Sequence, residues 1–494
     1  MANPIKQLAG QTAIYGLSSI IARLLNYLLT PLYTLKFATE QYGVITEMYA
    51  YVAFLIIFLT YGMETAYFRF MSRFPDRKSL VFATAAKSLL LTSGLFILIT
   101  SLFHDSIGNW MRYPDHTEYV IWFAFIVGLD AIGSIPLARL RAENKAFRFA
   151  GIQMTNVAVN IGLNIFFLVY CPSVIEESGG NMLTQAFYDP DIGVGYVFIA
   201  NLVASAIKLL LLTPAFRHAR GFDIDLWKQM LNYAWPLLIV GIGWYVNENF
   251  DRILLKYLLI DRIGEEAAMS QVGIYGANYK LSIIIILFIQ AFRYAADPFY
   301  FSKQNDPDAP RLYASLMTYF VIIVCTIFLM ITLFIDIFRY FIPNPDYWEG
   351  LRIVPVLLLA NVFQGIYYNL SFWYKFTDKT RFGAWLALFG AAITLVGNFI
   401  FIPEYGYIAC AWVTFTAYGS IMIVSYFLGQ RFYRIPYEAK RIGGYVGLAV
   451  LIYLVRNELL NEYPGLGLSL MCFSIYLAWI ILRERKRVAS FTQA

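Results

Sequence analysis

The sequence predicts an all-α membrane protein of about fourteen transmembrane helices, arranged as two six-helix lobes plus two C-terminal helices. Three observations predict this fold: an apolar composition, a series of apolar runs long enough to span a bilayer, and an internal repeat. The repeat predicts a pseudo-two-fold axis along the membrane normal. The predicted boundaries are 1–218 for the N-terminal lobe, 219–432 for the C-terminal lobe and 433–494 for the additional helices and a basic cytoplasmic tail.

Composition indicates that lipid is the solvent of this chain. Its 494 residues are 59% hydrophobic and 14% charged, whereas a soluble domain is about 45–50% apolar and about 25% charged. The four cysteines are scattered, and the sequence has no H-E-x-x-H, G-x-S-x-G or G-x-x-x-x-G-K-[ST] motif. We therefore expect no enzyme activity, no catalytic residues, no cofactor, no metal site and no nucleic-acid partner.

The apolar runs define the predicted spans, because a hydrocarbon core about 30 Å thick needs roughly 20 helical residues. These runs lie near 9–35, 42–68, 79–102, 117–138, 149–171, 192–214, 231–259, 271–296, 313–335, 351–374, 382–402, 406–429, 441–457 and 465–482. The first run contains Arg23 and is too long for the core of a signal peptide. We interpret it as the first spanning helix.

The charges of the loops predict the orientation of the chain. One alternating set of loops carries most of the basic residues, as in "RFMSRFPDRK" (69–78) and "RERKR" (483–487), and Lys6 lies on the same side. The other set carries only Lys36, Arg112, Arg262, Arg339, Arg352 and Arg456. The positive-inside rule then puts both termini in the cytoplasm, and the longest outer loop is about 172–190.

The chain repeats itself at an offset of about 230 residues. "QYGVITEMY" (41–49) returns as "QVGIYGANY" (271–279), and "RLLNYLL" (23–29) resembles "RILLKYLL" (252–259). Lys145 and Asn164 have counterparts in Lys379 and Asn398 at nearly the same offset. The offset covers six helices, an even number, so both copies keep the same orientation in the membrane.

Charged residues inside the spans are the candidate functional residues, because such residues usually face the bundle interior or a watery cavity. The candidate substrate-binding residues are Arg23, Asn247, Glu248, Asp251, Arg252 and Lys280, and the candidate ion-coupling residues are Glu64 and Asp130. Further intramembrane charges are Glu47, Lys208, Lys256, Arg293 and Asp297. We expect the residues of the seventh helix, together with Arg23, to line a space between the lobes.

Several of these assignments have a structural alternative. Glu248 and Arg252 are four residues apart, so they share a helix face and can form an internal salt bridge instead of binding a substrate. Arg23 has no acidic residue three or four positions away. Asp130 serves equally well as a structural hydrogen-bonding residue in a kinked helix, and snorkelling is the default interpretation of Lys208.

Several blocks resemble polysaccharide (oligosaccharide-lipid) flippases of the multidrug/oligosaccharidyl-lipid/polysaccharide exporter superfamily. They are "GNFIFIPEYGYIACAWVT" (397–414), "QYGVI" on the second helix, "DRILL" on the seventh and "QVGIYGANYKLS" on the eighth. The resemblance implies alternating access, by which an undecaprenyl-diphosphate-linked oligosaccharide crosses the bacterial inner membrane to the periplasmic leaflet. It implies a role in surface polysaccharide synthesis, such as that of lipopolysaccharide O-antigen, capsule or exopolysaccharide.

The partners that this resemblance implies are the lipid-linked oligosaccharide, membrane lipids, H⁺ or Na⁺ as coupling ions, and a polysaccharide polymerase or glycosyltransferases. Arginine suits such a cargo because its guanidinium holds a diphosphate through two parallel hydrogen bonds. Two alternatives within the superfamily stay open. One is an ion-coupled multidrug or cation exporter, which the acids Glu248 and Asp251 suit; the other is a lipid-II-type flippase, which has a cavity arginine at the position of Arg23.

Overall fold

A computed structural model describes residues 16, 18–217, 219–303, 306–459 and 465–491. Within these residues the chain consists of α-helices, short 3₁₀ and π-helical segments and connecting turns, and it contains no strand. Eleven of the described helices are long and apolar enough to cross a membrane. The prediction of an all-α membrane protein is therefore confirmed. Lys6 and the beginning of the first predicted run lie outside the described residues.

The long helices, numbered α1 to α14 along the chain, correspond in order to the predicted apolar runs. They are α1 at 18–36 with a turn at Leu28, α2 at Thr39–Arg73, α3 at Lys78–Leu102, α4 at Glu118–Ala142, α5 at Ala146–Ser178, α6 at Gly195–Phe216, α7 at Ile224–Ile263, α8 at Glu265–Ser302, α9 at Ala309–Leu333, α10 at Pro345–Phe376, α11 at Arg381–Tyr405, α12 at Tyr407–Phe432, α13 at Ala439–Leu454 with a π-helical extension Val455–Leu459, and α14 at Leu466–Phe491.

The helix α2 is broken where the backbone turns left-handed. Tyr61 and Gly62 have φ angles of 32° and 72°, and they divide the helix into Thr39–Thr60 and Met63–Arg73. Glycine suits this position for a second reason, since an added Cβ at Gly62 would lie 2.9 Å from the carbonyl oxygen of Ala234 on α7. The break therefore lets the backbones of α2 and α7 approach closely.

The chain forms two compact units. The first comprises Met1–Lys256 and Glu266–Gly273, and the second comprises Tyr257–Glu265 and Ile274–Ala494. Compactness and internal duplication are different criteria, so the boundaries that the repeat predicts at 218 and 432 stay a prediction. Both criteria nevertheless distinguish two large helical parts in the chain.

In the first unit, an apolar core holds the beginning of α7 against α2, α3 and α4. Tyr67, Phe82 and Met230 are among its fully buried side chains. Asp223 caps α7 by accepting hydrogen bonds from the backbone N–H groups of Asp225 and Leu226, each at 3.0 Å. From this start α7 continues for 40 residues, or about 60 Å at 1.5 Å per residue. It is therefore long enough to place charged residues well away from its capped end.

The two copies of the repeat meet at a pair of glycines in the first unit. An added Cβ on Gly43 of α2 would overlap the carbonyl oxygen of Met269. Reciprocally, a Cβ on Gly273 of α8 would overlap the carbonyl oxygen of Thr39. Thr39 Oγ1 and Ser270 Oγ lie 2.7 Å apart beside this crossing. The repeated Q-x-G pattern thus has a physical role, because only glycine lets the two helices cross backbone to backbone.

Candidate functional site

The predicted polar cluster of α7 lies in the first unit. Asn247, Asp251 and Arg252 are buried, whereas Glu248 is half-buried. Arg23, on α1, is exposed. The apolar residues of α7 pack against the unit's core, and the polar ones at 247–252 occupy two successive turns. Burying them requires polar partners, because an unpaired charge in an apolar interior is strongly unfavourable.

The carboxylate partner of Arg252 is Asp251. Arg252 Nη1 lies 3.2 Å from Asp251 Oδ1, and it also donates to the Glu248 carbonyl oxygen at 2.6 Å. A third hydrogen bond runs to Asn249 Oδ1 at 3.2 Å. The arginine folds back along the helix towards its N-terminus, the usual direction of a long helical side chain. The ion pair between Glu248 and Arg252 that the helical spacing suggested is therefore replaced by one with the adjacent residue.

Glu248 connects the cluster electrostatically to α1. The charges that act on its carboxylate are the cations Arg252 and Arg23 and the anion Asp251. In the described part of the chain, Arg23 has no carboxylate within ion-pair distance. Arg23, Asp251 and Arg252 thus all act electrostatically on Glu248, Arg252 is paired with Asp251, and Arg23 is exposed.

The remaining predicted residues lie elsewhere. Lys280 is half-buried on α8, in the part of that helix that belongs to the second unit, and its role stays a prediction. Glu64 forms an ion pair with Arg141. Asp130 forms one with Lys208, whose Nζ lies 2.6 Å from Asp130 Oδ1. Lys208 is therefore held by an acid within the protein, in place of the snorkelling expected for it.

Sequence reasoning missed a buried cluster centred on Glu47 and Lys256. Both side chains are completely buried, and Lys256 Nζ lies 3.0 Å from Glu47 Oε2. The ammonium also donates to the Met111 carbonyl oxygen at 2.9 Å and lies 3.9 Å from the centroid of the Tyr113 ring. The hydroxyls of Tyr113 and Tyr51 donate to the same carboxylate.

The sequence holds only a weak signal for this cluster. Glu47 and Lys256 are visible as intramembrane charges, but they lie on α2 and α7, and Tyr113 comes from the segment between α3 and α4. No local spacing joins three segments so far apart in the chain. Among the described residues, no group of three or more His, Cys, Asp or Glu side chains is placed to hold a metal ion.

Solved structures of other membrane proteins have a similar fold. The chain is similar to the structure of "Lipid II flippase MurJ, inward closed conformation", with a TM-score of 0.73 and 14% identity over 96% of this chain and 99% of that one. It is also similar to an inward-facing multidrug resistance MATE family transporter of the MOP superfamily. That match has a TM-score of 0.61 and 13% identity, over 88% and 95% of the two chains. At such identities the likeness concerns the fold, and it confirms the predicted two-lobed helical fold.

Comparison with known sequences identifies the family of the chain. An uncharacterized membrane protein of Haemophilus influenzae is 19% identical over 296 residues, and a protein of the Lsg locus of the same organism is 18% identical over 297. Each match covers 59% of this chain and 65% of the relative, so the chain spans somewhat less than two thirds of these proteins. The family model described as "Polysaccharide biosynthesis protein" matches residues 8–303, which include α1 to α7 and the candidate group around Arg23 and Arg252. The chain belongs to this polysaccharide biosynthesis protein family, built on the transporter fold that it shares with lipid II flippase and MATE structures.

Proposed function

We propose that this protein flips an undecaprenyl-diphosphate-linked oligosaccharide from the cytoplasmic to the periplasmic leaflet of the bacterial inner membrane by alternating access. The transported lipid then supplies the synthesis of a surface polysaccharide such as O-antigen, capsule or exopolysaccharide. Membership of the polysaccharide biosynthesis protein family supports the pathway. The similarity in fold to a lipid II flippase, at a TM-score of 0.73, supports the class of cargo.

One observation carries the proposal: an exposed arginine, Arg23, and an arginine that is paired with an acid, Arg252, both act on the carboxylate of Glu248. Asp251 pairs with Arg252, so the second guanidinium, that of Arg23, contributes the positive charge that the group offers to a ligand. A guanidinium binds a phosphate oxygen pair through two parallel, charge-assisted hydrogen bonds. In a partly desolvated site this attraction is much stronger than in water. A diphosphate is the part of the proposed cargo that needs such a partner.

Orientation, energy source and partners are part of the same proposal. The loop charges support cytoplasmic termini. Because the sequence has no nucleotide-binding motif, we infer that transport is driven by a gradient of H⁺ or Na⁺, by the membrane potential or by consumption of the product. Glu64 and Asp130 remain the candidates for ion coupling, each within a pair that protonation of the acid would break. A glycosyltransferase would supply the cargo, and a polymerase would consume it.

A multidrug or cation exporter is the second candidate function. The acids Glu248 and Asp251 on α7 favour it, as does the similarity in fold to a MATE transporter. However, Asp251 is neutralised by Arg252, and Glu248 has two arginines as neighbours. The formal charges of these two acids and two arginines cancel, so the group has no net negative charge to attract an organic cation, and its most exposed charged side chain is Arg23. A lipid-II-type flippase is the third candidate, and it would use Arg23 in the same way as the first.

Reconstitution separates the three candidates. The purified protein is placed in liposomes with a fluorescent undecaprenyl-diphosphate oligosaccharide, and a membrane-impermeant reductant reports the fraction of label that reaches the outer leaflet. Fluorescent lipid II and an organic cation dye are tested in parallel. The proposal expects rapid translocation of the oligosaccharide lipid and little movement of the dye. If only the dye moves, the protein is a cation exporter and the proposal fails. If only lipid II moves, the protein is a lipid-II-type flippase and the proposal fails.

A further inference from the structure

A long apolar groove runs between α11 and α12 on the second unit. Its cavity volume is about 810 Å³, and its lining includes Phe389, Val396, Gly397, Tyr405 and Trp412. Apart from the hydroxyls of Tyr405 and Thr416 and the indole nitrogen of Trp412, the lining side chains are hydrocarbon. Phe389, Val396, Tyr405 and Trp412 are all more than a third exposed. The groove therefore opens outward from the helices that form it.

A close approach of the two helices forms the floor of the groove. An added Cβ on Gly397 would lie 2.9 Å from a methyl carbon of Val413, so a larger residue there would push α12 away. Phe401 on α11 and Trp412 on α12 line the groove. Most of these residues belong to the block 397–414, which carries the sequence resemblance to oligosaccharide-lipid flippases. This block belongs to the second unit, whereas Arg23 and Arg252 belong to the first.

The length of the groove favours one kind of occupant. Its lining on α11 extends from Phe389 to Tyr405, which is about 24 Å at 1.5 Å per residue. One leaflet of the hydrocarbon core is only about 15 Å thick, half of the full core. A single phospholipid acyl chain would therefore fill little more than half of the groove, and ordinary lipids would have to enter it from both leaflets to fill it. A polyisoprenoid chain is long enough to occupy all of it.

A cationic side chain lies at one end. Arg262 is exposed, and its Nη1 donates to the Pro403 carbonyl oxygen at 2.6 Å, between the lining residues Phe401 and Tyr405. This hydrogen bond uses one of the five N–H groups of the guanidinium. The predicted topology puts this end at the periplasmic surface. An apolar groove with a cation at the membrane surface is complementary to an amphiphile that has a long hydrocarbon tail and an anionic head.

We propose that the α11–α12 groove binds the polyisoprenoid tail of a polyprenyl phosphate lipid, with the phosphate at Arg262. This inference rests on the proposed function and extends it, since it assigns a site to the lipid part of the cargo after it reaches the outer leaflet. Binding to the groove needs no translocation. It can therefore be tested separately from flipping.

Photo-crosslinking in nanodiscs tests the site. The full-length protein carries p-benzoylphenylalanine in place of Phe401, which lines the groove, or in place of Phe399 as the matched control. Phe399 is equally exposed on the same helix but does not line the groove, since residues two positions apart point to different sides. Undecaprenyl phosphate is the probe, and mass spectrometry identifies the attached lipid. We expect cross-linking at position 401 and little at 399; equal cross-linking at both positions would overturn the proposal.

Three further comparisons define the occupant. Ala392→Trp, which fills an exposed part of the groove, should abolish most cross-linking from position 401. Undecaprenyl phosphate should compete better than undecaprenol by about tenfold, the ratio expected for a charge-assisted hydrogen bond. Arg262→Ala should remove that difference and leave undecaprenol binding intact.

If phosphatidylglycerol competes as well as undecaprenyl phosphate, the groove is an ordinary lipid-contact surface and the proposal fails. If the protein flips the oligosaccharide lipid but position 401 does not cross-link, the groove is rejected and the proposed function stands. If position 401 cross-links but the oligosaccharide lipid is not flipped, the proposed function is rejected and the groove stands.

Discussion

Lys256 Nζ lies 3.0 Å from Glu47 Oε2, and both side chains are completely buried. This ion pair joins α7 to α2, and the Met111 carbonyl and the Tyr113 hydroxyl attach the segment between α3 and α4 to the same point. Every polar atom in the cluster has a partner, which is the condition for burying a charge without a large loss of stability. We infer that the pair fixes the position of α7 within the first unit.

Removing one member of this pair should destabilise the protein far more than removing both. Lys256→Met leaves the buried Glu47 carboxylate with its two tyrosine hydrogen bonds but without its cation, and we expect it to lower the free energy of unfolding by about 3–5 kcal/mol. Glu47→Gln combined with Lys256→Met removes both charges and should restore most of that loss. Chemical denaturation of the purified protein in detergent, followed by tryptophan fluorescence, measures both variants.

An exposed ion pair on the same helix provides the control. Lys228 lies 3.9 Å from Asp225, and both side chains are largely exposed. Lys228→Met should therefore change stability very little, because pairs in contact with water contribute little. A double variant at Glu47 and Lys256 that is no more stable than Lys256→Met alone would refute the interpretation of the cluster as a neutralised pair.

The glycine crossing of α2 and α8 should tolerate no side chain. Gly43→Ala places a Cβ against the Met269 carbonyl oxygen, a backbone atom that cannot rotate away. We expect a loss of about 1–3 kcal/mol, the usual effect of overpacking, and lower membrane abundance. Gly273→Ala should behave alike, because it meets the Thr39 carbonyl oxygen.

Gly162→Ala is the matched control for this crossing. Gly162 also lies inside a long helix, α5, but a Cβ added there has no neighbouring atom within 4 Å. Alanine should therefore stabilise the helix by about 0.5–1 kcal/mol. Abundance in membranes and the midpoint of thermal aggregation compare the variants. If Gly43→Ala and Gly162→Ala behave the same, the crossing contributes nothing to the fold.

Much of this architecture is predictable because lipid constrains the backbone so strongly. A span must be helical and about 20 residues long, so apolar runs locate the helices α1 to α14 with little help from packing. The break of α2 at Tyr61 and Gly62 is harder to predict, since it depends on the approach of Ala234 from a helix far along the chain. Local sequence contains no signal for such a contact.

The candidate site was likewise predictable from the sequence only in part. Spacing along one helix predicts that Asn247, Glu248, Asp251 and Arg252 belong to one site, which stays a prediction, and it suggests Glu248 as the carboxylate partner of Arg252, whereas the structure has Asp251. Helical periodicity places Glu248 four residues away on the same face, whereas the long arginine side chain can reach back to its neighbour Asp251. Pairs between helices, such as Asp130 with Lys208, were visible only as single charges. Their pairing depends on tertiary packing, which one sequence does not reveal.

Reporter fusions test the predicted orientation. Fusions after Lys228 and Arg381 should report a cytoplasmic position, and a fusion near Glu177 should report a periplasmic one, because the basic loops are expected inside. Alkaline phosphatase and a fluorescent protein form a suitable pair, since the first is active only outside and the second only inside. A cytoplasmic readout at Glu177 would invert the topology and with it the periplasmic position of Arg262.

Variants of Arg252 and Asp251 distinguish a structural role of Arg252 from a role in substrate binding. Arg252→Ala removes the guanidinium that pairs with the buried Asp251 carboxylate, so we expect reduced membrane abundance. Asp251→Asn combined with Arg252→Ala should restore the abundance. If export of the glycan also returns, Arg252 serves the fold; if export stays absent at normal abundance, Arg252 acts on the cargo. Glu248→Gln combined with Arg252→Ala is the control, and it should not restore abundance, because Glu248 does not form the ion pair.

Arg23 gives the sharpest test of the proposed function, because no carboxylate within the described residues pairs with it. Arg23→Lys should retain part of the export activity, since lysine keeps the charge but lacks the planar fork. Arg23→Gln should abolish nearly all of it, because a neutral amide cannot compensate a diphosphate in a partly desolvated site. Lys36→Gln is the control, since Lys36 is an exposed cation at the end of the same helix and should be dispensable. Surface glycan staining, normalised to protein abundance, measures all three variants. Equal staining for the unmodified protein and Arg23→Gln would exclude anion binding at Arg23 and favour the cation exporter.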